Sequence, residues 1–252
     1  MSENEKYILQ SVANALDILD LLTSYEELTV PEISRMTGLG KSSVFRLLAT
    51  LADRRFVRKT ETAGYRLDIK LAAMGNVVLS RMEIIRYAHP HLVELTRAAG
   101  ETSHMVVWDR GTSVRFVDKV LSTSTIHTDS SIGFCRAAHL LACGKVLLAY
   151  QSEAFQQTYM RMADFSPMTP NTIVTEAQLY EELEKIREYG YGCDQEESEE
   201  GLTCFAAPVY DLTGAVVAAI SISGPSQRMV ANKERNIALI RQTAKDISNA
   251  LR

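Results

Sequence analysis

Gly38-Leu39-Gly40-Lys41-Ser42-Ser43-Val44-Phe45-Arg46-Leu47-Leu48-Ala49-Thr50-Leu51 is the stretch whose reading decides the fold. Val44, Leu47, Leu48 and Leu51 recur at the spacing of one helix face. A helix starting near Lys41 therefore turns these four inward and leaves Ser42, Ser43, Phe45, Arg46 and Ala49 on its other face. A shorter helix precedes it. Thr29 as N-cap, Glu32 three residues on and Pro31 in the first turn form a capping box that opens a helix through Ile33 and Met36. Gly38 ends that helix in a left-handed conformation. Two helices joined through Gly38-Leu39-Gly40-Lys41 have the helix-turn-helix form. Upstream, Val12, Ala15, Leu16, Leu19 and Leu22 mark an amphipathic helix over 8–23. Downstream, Phe56-Val57-Arg58-Lys59 and Tyr65-Arg66-Leu67 are strand-like runs around the turn-rich Thr60–Gly64. A hairpin in that position is a wing, so 6–68 reads as a winged helix-turn-helix domain.

Charge adds a partner. The net charge of the 252 residues is −4. Between 35 and 70, however, Arg35, Lys41, Arg46, Arg54, Arg55, Arg58, Lys59, Arg66 and Lys70 face only Asp53, Glu61 and Asp68, a local net of +6. A basic segment attracts duplex phosphates, and such binding weakens with salt. A helical hairpin with a charged face also occurs packed inside larger domains; the basic hairpin after it favours double-stranded DNA. Arg46 can fork onto a guanine edge or a phosphate, and Ser42 and Ser43 are short enough for phosphates or bases. The helix start at Lys41 favours an anion, Phe45 suits a thymine methyl, and Ala49 completes the face. Lys59, Thr60 and Arg66 are the expected phosphate contacts of the wing.

The rest reads as a linker helix and a mixed domain. Leu71, Ala72, Met74, Val77, Val78 and Leu79 suggest a helical linker over 69–82. Beyond it, 83–252 alternates helices and strands. The expected helices are 84–99 (bent at Pro90), 139–150, one after Ser152, one from the capping box Thr175-Glu176-Ala177-Gln178 to Tyr189, and 232–251. The expected strands are 102–108, 114–121, 123–128, 203–210 and 215–223. The fold class is α+β in two domains.

Several classes of function are disfavoured. No Gly-x-Ser-x-Gly elbow, phosphate loop or dinucleotide motif is present, so neither an enzyme nor a cofactor is expected. Cys135, Cys143, Cys193 and Cys204 form no C-x-x-C pair and read as free thiols. His139 and Cys143 at i, i+4 are the best metal candidates, yet that spacing more often reflects packing. No apolar run approaches the ~20 residues of a membrane span, and MSENEKYILQ has no apolar signal core, so a cytoplasmic protein is expected.

The 38–51 segment and the wing ending in Tyr65-Arg66-Leu67 resemble those of IclR-type bacterial transcription regulators. The likeness extends along the chain. His139-Leu140-Leu141-Ala142-Cys143-Gly144-Lys145-Val146-Leu147-Leu148-Ala149 resembles that family's "HATASGKALLA". Gly190-Tyr191-Gly192, Glu196, Glu197, Glu200, Gly201, Cys204, Ala206, Ala207 and Pro208 follow its "GYA…EE…G…C-AAPV". Asp211-Leu212-Thr213-Gly214 and Ser221-Ile222-Ser223-Gly224-Pro225 complete the order.

The resemblance implies a GAF-like second domain that binds a small effector and oligomerises. It also implies homodimers through head and linker, often paired into tetramers. Repression is the commoner outcome, with activation as the alternative. Carried over residue by residue, it nominates the Ala142 and Cys143 amides, Asp194, Cys204, Ser221 and Ser223 as the effector site. Amides near a helix start hold a carboxylate, and serines bond a hydroxyl or keto oxygen. Read without the resemblance, the serines are ordinary strand residues and Cys204 a packed thiol. Cys143 departs from the family pattern, as does the polar 123–136 stretch. These departures point to a polar, anionic effector, with Thr125, His127 or Arg136 in reach.

Overall fold

The computed structural model describes residues 7–80, 82–128 and 130–251, with the side chains of 79 and 80 not described. The expected domain start at residue 6, linker residue 81 and terminal residue 252 lie outside the described residues. The chain divides into two compact units, the first ending at residue 81 and the second beginning at Met82.

The first unit holds α1 (Gln10–Leu21), α2 (Val30–Thr37), α3 (Lys41–Asp53), the hairpin strands β1 (Val57–Lys59) and β2 (Tyr65–Leu67), and α4 (Ile69–Ser80). The start of α2 is fixed locally. The Thr29 amide and hydroxyl both donate to Glu32 Oε2, at 2.8 and 2.6 Å, and Gly38 closes the helix at φ 72°. Ile18, Ile33, Val44, Leu48 and Val57 are almost wholly buried together. Each such side chain contributes about 1.5–3 kcal/mol. The hairpin is tied back to the helices where Leu28 and Tyr65 exchange both backbone hydrogen bonds, 3.0 and 2.8 Å.

The second unit is a six-stranded antiparallel sheet in the order β5-β4-β3-β8-β7-β6. Its strands are β3 (Thr102–Trp108), β4 (Ser113–Val120), β5 (Cys135–Ala137), β6 (Gly192–Gln195), β7 (Leu202–Tyr210) and β8 (Val216–Pro225). Its helices are α5 (Glu83–Ala99), α6 (Ala142–Ala149), α7 (Glu153–Met162), α8 (Glu176–Tyr189), α9 (Ser226–Ala231) and α10 (Lys233–Ala250). One face packs Cys204 and Ala206 against Val146, Leu179 and Leu183 from α6 and α8. The other packs Phe205 and Ala207 against Leu92, Ile240 and Ile247 from α5 and α10. Neighbouring β7 residues thus enter opposite cores, as the two-residue period requires. Both faces are covered, so the strand reads as an apolar run rather than an alternation.

Three expectations are corrected. The strand placed at 123–128 is a series of bends. Its polar side chains bond backbone instead: Ser122 Oγ and Ser124 Oγ donate to Gly100 O, and His127 Nδ1 meets Ser124 O at 2.7 Å. Such local bonds compete with a ladder. The helix expected at 139–150 is a 3₁₀ turn (Ala138–Leu140) followed by α6. The short elements β5, β6 and α9 were not foreseen. Among the described residues no helix is long and apolar enough to cross a membrane.

Candidate functional site

The amino end of α3 has Gly40 as its N-cap and no side-chain cap. The first-turn amides therefore remain open to an external acceptor. Lys41, Ser42, Ser43, Phe45, Arg46 and Ala49 are all exposed on one side of this helix. Phe45 keeps 55% of its surface in solvent. Among the described residues Lys41, Arg46 and Arg58 form no ion pair.

The hairpin register sorts the wing residues. Arg58 lies directly opposite Arg66, whereas Lys59 is opposite Tyr65 on the alternate face. Two like charges facing each other on the outer face are destabilising unless an anion lies between them. Sequence reading nominated Arg66 and Lys59 for the wing and counted Arg58 only within the basic segment. The two-residue alternation was the available signal, but the register had to be known to use it. The Thr60 hydroxyl is committed to the turn: it accepts from the Gly64 amide at 3.0 Å and meets Thr62 Oγ1 at 2.8 Å.

In the second unit a pocket of about 520 Å³ opens beside the start of α6. Ala142, Cys143, Cys204, Ser221 and Ser223 line it together, as do His127 and Arg136. Thr125 and Asp194 are not among its lining residues. Phe116, Ile126, Phe134 and Leu141 also contribute, so the wall is less polar than the 123–136 sequence suggests. No side chain caps α6, and its first amides are those of Ala142 and Cys143. Gly144 is required there: a Cβ would sit 2.5 Å from Ala138 Cα in the preceding 3₁₀ turn.

Asp194 stands behind the rim. Its carboxylate accepts from the Glu197 amide at 2.8 Å and the Ser198 hydroxyl at 2.7 Å, and Ser198 in turn lines the pocket. Burial raises the Asp194 pKa, opposed chiefly by the Ser198 bond. Below it, the fully buried Lys145 donates to both Glu197 oxygens at 2.5 and 2.6 Å and approaches Glu182 at 3.8 Å. The resemblance did not assign Lys145 or Glu197. A lone lysine in the otherwise apolar run Ala142–Ala149 was the visible hint.

The chemistry of the remaining candidates is quiet. Burial pushes the Cys143 thiol up to about 12 and Cys204 well above its usual value. Both thiols therefore stay protonated near neutral pH and are poor nucleophiles. Burial lowers His139 to about 4, and its Nδ1 lies 2.8 Å from the Tyr159 hydroxyl. Among the described residues no three His, Cys, Asp or Glu side chains are grouped to hold a metal ion.

Comparison with known proteins covers both units. The family model described as the IclR helix-turn-helix domain matches residues 11–61, and that for the bacterial transcriptional regulator IclR C-terminal matches 76–249. The transcriptional regulator KdgR of Dickeya chrysanthemi is 33% identical over 96% of this chain and 80% of its own length. The Escherichia coli DNA-binding transcriptional repressor YiaJ is 34% identical over 96% and 88%. Among solved structures, the Thermotoga maritima IclR matches with TM-score 0.79 and 32% identity, covering 96% of this chain and 98% of that one. An IclR homolog from Microbacterium hydrocarbonoxydans, solved with 4-hydroxybenzoate, shares the fold at TM-score 0.81 and 20% identity, over 96% and 97%.

Proposed function

The chain belongs to the IclR family of bacterial transcriptional regulators and is a DNA-binding regulator rather than an enzyme; on that premise we propose that it is a repressor whose operator affinity is set by a small carboxylate in the pocket. Arg46, Ser42 and Ser43 read bases or phosphates from α3, with Lys41 and the open amides at its start holding a phosphate and Phe45 and Ala49 meeting thymine methyls. Arg66 holds phosphate on the wing, joined by Arg58 and by Lys59 at the strand end, while Thr60 shapes the turn.

The observation that carries the effector reading is the convergence of Ala142, Cys143, Cys204, Ser221 and Ser223 on one pocket. The carboxylate bonds the Ala142 and Cys143 amides; Ser221, Ser223 and Cys204 face the remainder of the molecule; Arg136 and His127 add positive or hydrogen-bonding character. Asp194 reaches a ligand hydroxyl only by giving up the Ser198 hydroxyl. YiaJ's description as a repressor and the 4-hydroxybenzoate held by the Microbacterium homolog are consistent with this reading.

Regulation requires the ligand to bind the DNA-competent and incompetent states unequally. We assign that transmission to 69–82 and the sensing and oligomer contacts to 83–252. Operators mirror protein symmetry, so a homodimer or homotetramer in the cytoplasm is the working form. The exposed Ile69, Met74 and Val78 of α4 and Val12 and Leu16 of α1 favour self-association through the head and linker. A thermal-shift screen of small organic acids tests the effector reading. Stabilisation by short hydroxy or keto acids supports it, and a screen that returns only large apolar binders contradicts it.

A further inference from the structure

The pocket's outer wall includes Ile126, His127 and Thr128, which belong to no helix or strand. Arg228, in α9, is bound to this wall. Its Nε and Nη2 donate to the two Glu101 oxygens at 2.7 and 2.8 Å, and the same Nη2 donates to Ile126 O at 2.9 Å. The Glu101 side chain is only 6% exposed, so the fork is oriented by a carboxylate that has little water to turn to. Gly224 makes room for it: a Cβ there would lie 2.6 Å from Glu101 Cδ. Gly224 sits between the pocket residues Ser223 and Pro225, so the pair is built into the pocket's frame.

The same device recurs further along the wall. Arg115 Nη2 pairs with Asp109 at 2.8 Å, and its Nη1 donates to Gly133 O at 2.6 Å. In both places a carboxylate-oriented arginine grips a main-chain carbonyl, but only the Ile126 stretch depends on it, because the Gly133 amide also donates to Phe116 O at 2.8 Å and Phe134 O accepts from the Phe116 amide at 3.0 Å. Bidentate guanidinium geometry suits this double task, which an ammonium cannot reproduce.

We infer that Arg228 is a positioning residue for the effector site: oriented by Glu101, it holds the Ile126 stretch against the pocket and thereby controls entry. This rests on the effector reading for its purpose, but its test needs no effector. Cys143 and Cys204 line the pocket and are nearly inaccessible, at 3% and 8% exposure. Cys193 packs with the opposite face of the sheet, and burial pushes its thiol up to about 12, as for Cys143. Partly exposed and not among the pocket's lining residues, it is an internal reference for general loosening.

The full-length protein and Arg228→Lys are treated with iodoacetamide, and alkylation of each cysteine is followed by peptide mass spectrometry. Arg228→Lys should speed alkylation of Cys143 and Cys204 roughly tenfold, the factor one lost charge-assisted hydrogen bond makes in an opening equilibrium. Cys193 should not change. Glu101→Gln, which leaves one carbonyl oxygen to accept from the guanidinium, should give a smaller rise at the same two thiols, and it serves if Arg228→Lys does not fold. Unchanged rates at Cys143 and Cys204 overturn the inference. So does a parallel rise at Cys193, which would mean general loosening. Failure of the organic-acid screen, by contrast, would bear on the effector reading and leave this result standing.

Discussion

Replacing Lys145 with Met should be among the most destabilising single changes in the second unit. The ammonium is fully buried and bonds both oxygens of Glu197, whose side chain is only 12% exposed. Glu182 and the buried Asp194 lie in the same neighbourhood, so one cation serves several carboxylates. Removing it leaves Glu197 ionised without a counter-charge at low solvent access, with only the Gln195 amide at 3.4 Å, a loss of about 3–5 kcal/mol. For a domain of this size that corresponds to roughly 6–20 °C in melting temperature. Burial already raises the Glu197 pKa against the pull of Lys145, and without Lys145 it rises further. A raised carboxylate pKa means the folded state binds the proton more tightly, so stability is gained as pH falls through it. The variant's deficit should therefore shrink on acidification below neutrality. Lys145→Met/Glu197→Gln, which removes both charges, should recover most of the loss at pH 7. Urea unfolding of the wild type, both single variants and the double variant measures the coupling. A cost below about 1 kcal/mol for Lys145→Met would refute the reasoning, because it would mean the pair is effectively solvated. So would a double variant no more stable than Lys145→Met.

Arg46→Ala should weaken specific operator binding by about 1–3 kcal/mol, roughly 5- to 150-fold in gel shift, while organic-acid binding by calorimetry is unchanged. Arg58→Ala should lower affinity about equally for all duplexes and reduce the salt slope by about one. It should also stabilise the free head slightly by relieving its repulsion with Arg66, which a melt would detect. Thr60→Val, by contrast, should lower the stability of the head through loss of the turn bond to Gly64, with the salt slope intact. Ser221→Ala/Ser223→Ala should cut carboxylate affinity at least tenfold in the thermal-shift titration without altering binding to a random duplex.

What could be read from the sequence was whatever a few neighbouring residues decide. Thr29 and Glu32 fix the start of α2, and Val44, Leu48 and Leu51 fix the inner face of α3, so the head was legible almost residue by residue. In 123–128, Thr, Ile and Thr look like strand formers, but Ser122, Ser124 and His127 spend their side chains on backbone groups, a choice set by the nearby Gly100 carbonyl. β5 and β6 span three and four residues at the two edges of the sheet and carry too little pattern to announce themselves. Five of the six residues that the resemblance nominated line one pocket. Asp194 differs because the 196–201 turn, with Glu196 at φ 58°, brings Ser198 between its carboxylate and the cavity. The pairing of Arg58 with Arg66 and the grip of Arg228 on Ile126 were not legible for a common reason: they lie in cross-strand register and in a contact 102 residues away in sequence.

The central claim is that a carboxylate in the pocket of the second unit changes DNA binding by the first. Fluorescence anisotropy of a labelled operator duplex, titrated with the full-length protein with and without a saturating acid from the screen, tests it directly. The account predicts an operator Kd shifted by about 5–150-fold, the span of ordinary allosteric coupling, and a shift in Ser221→Ala/Ser223→Ala that needs at least tenfold more acid. An acid that binds the pocket yet leaves the operator Kd unchanged would contradict it.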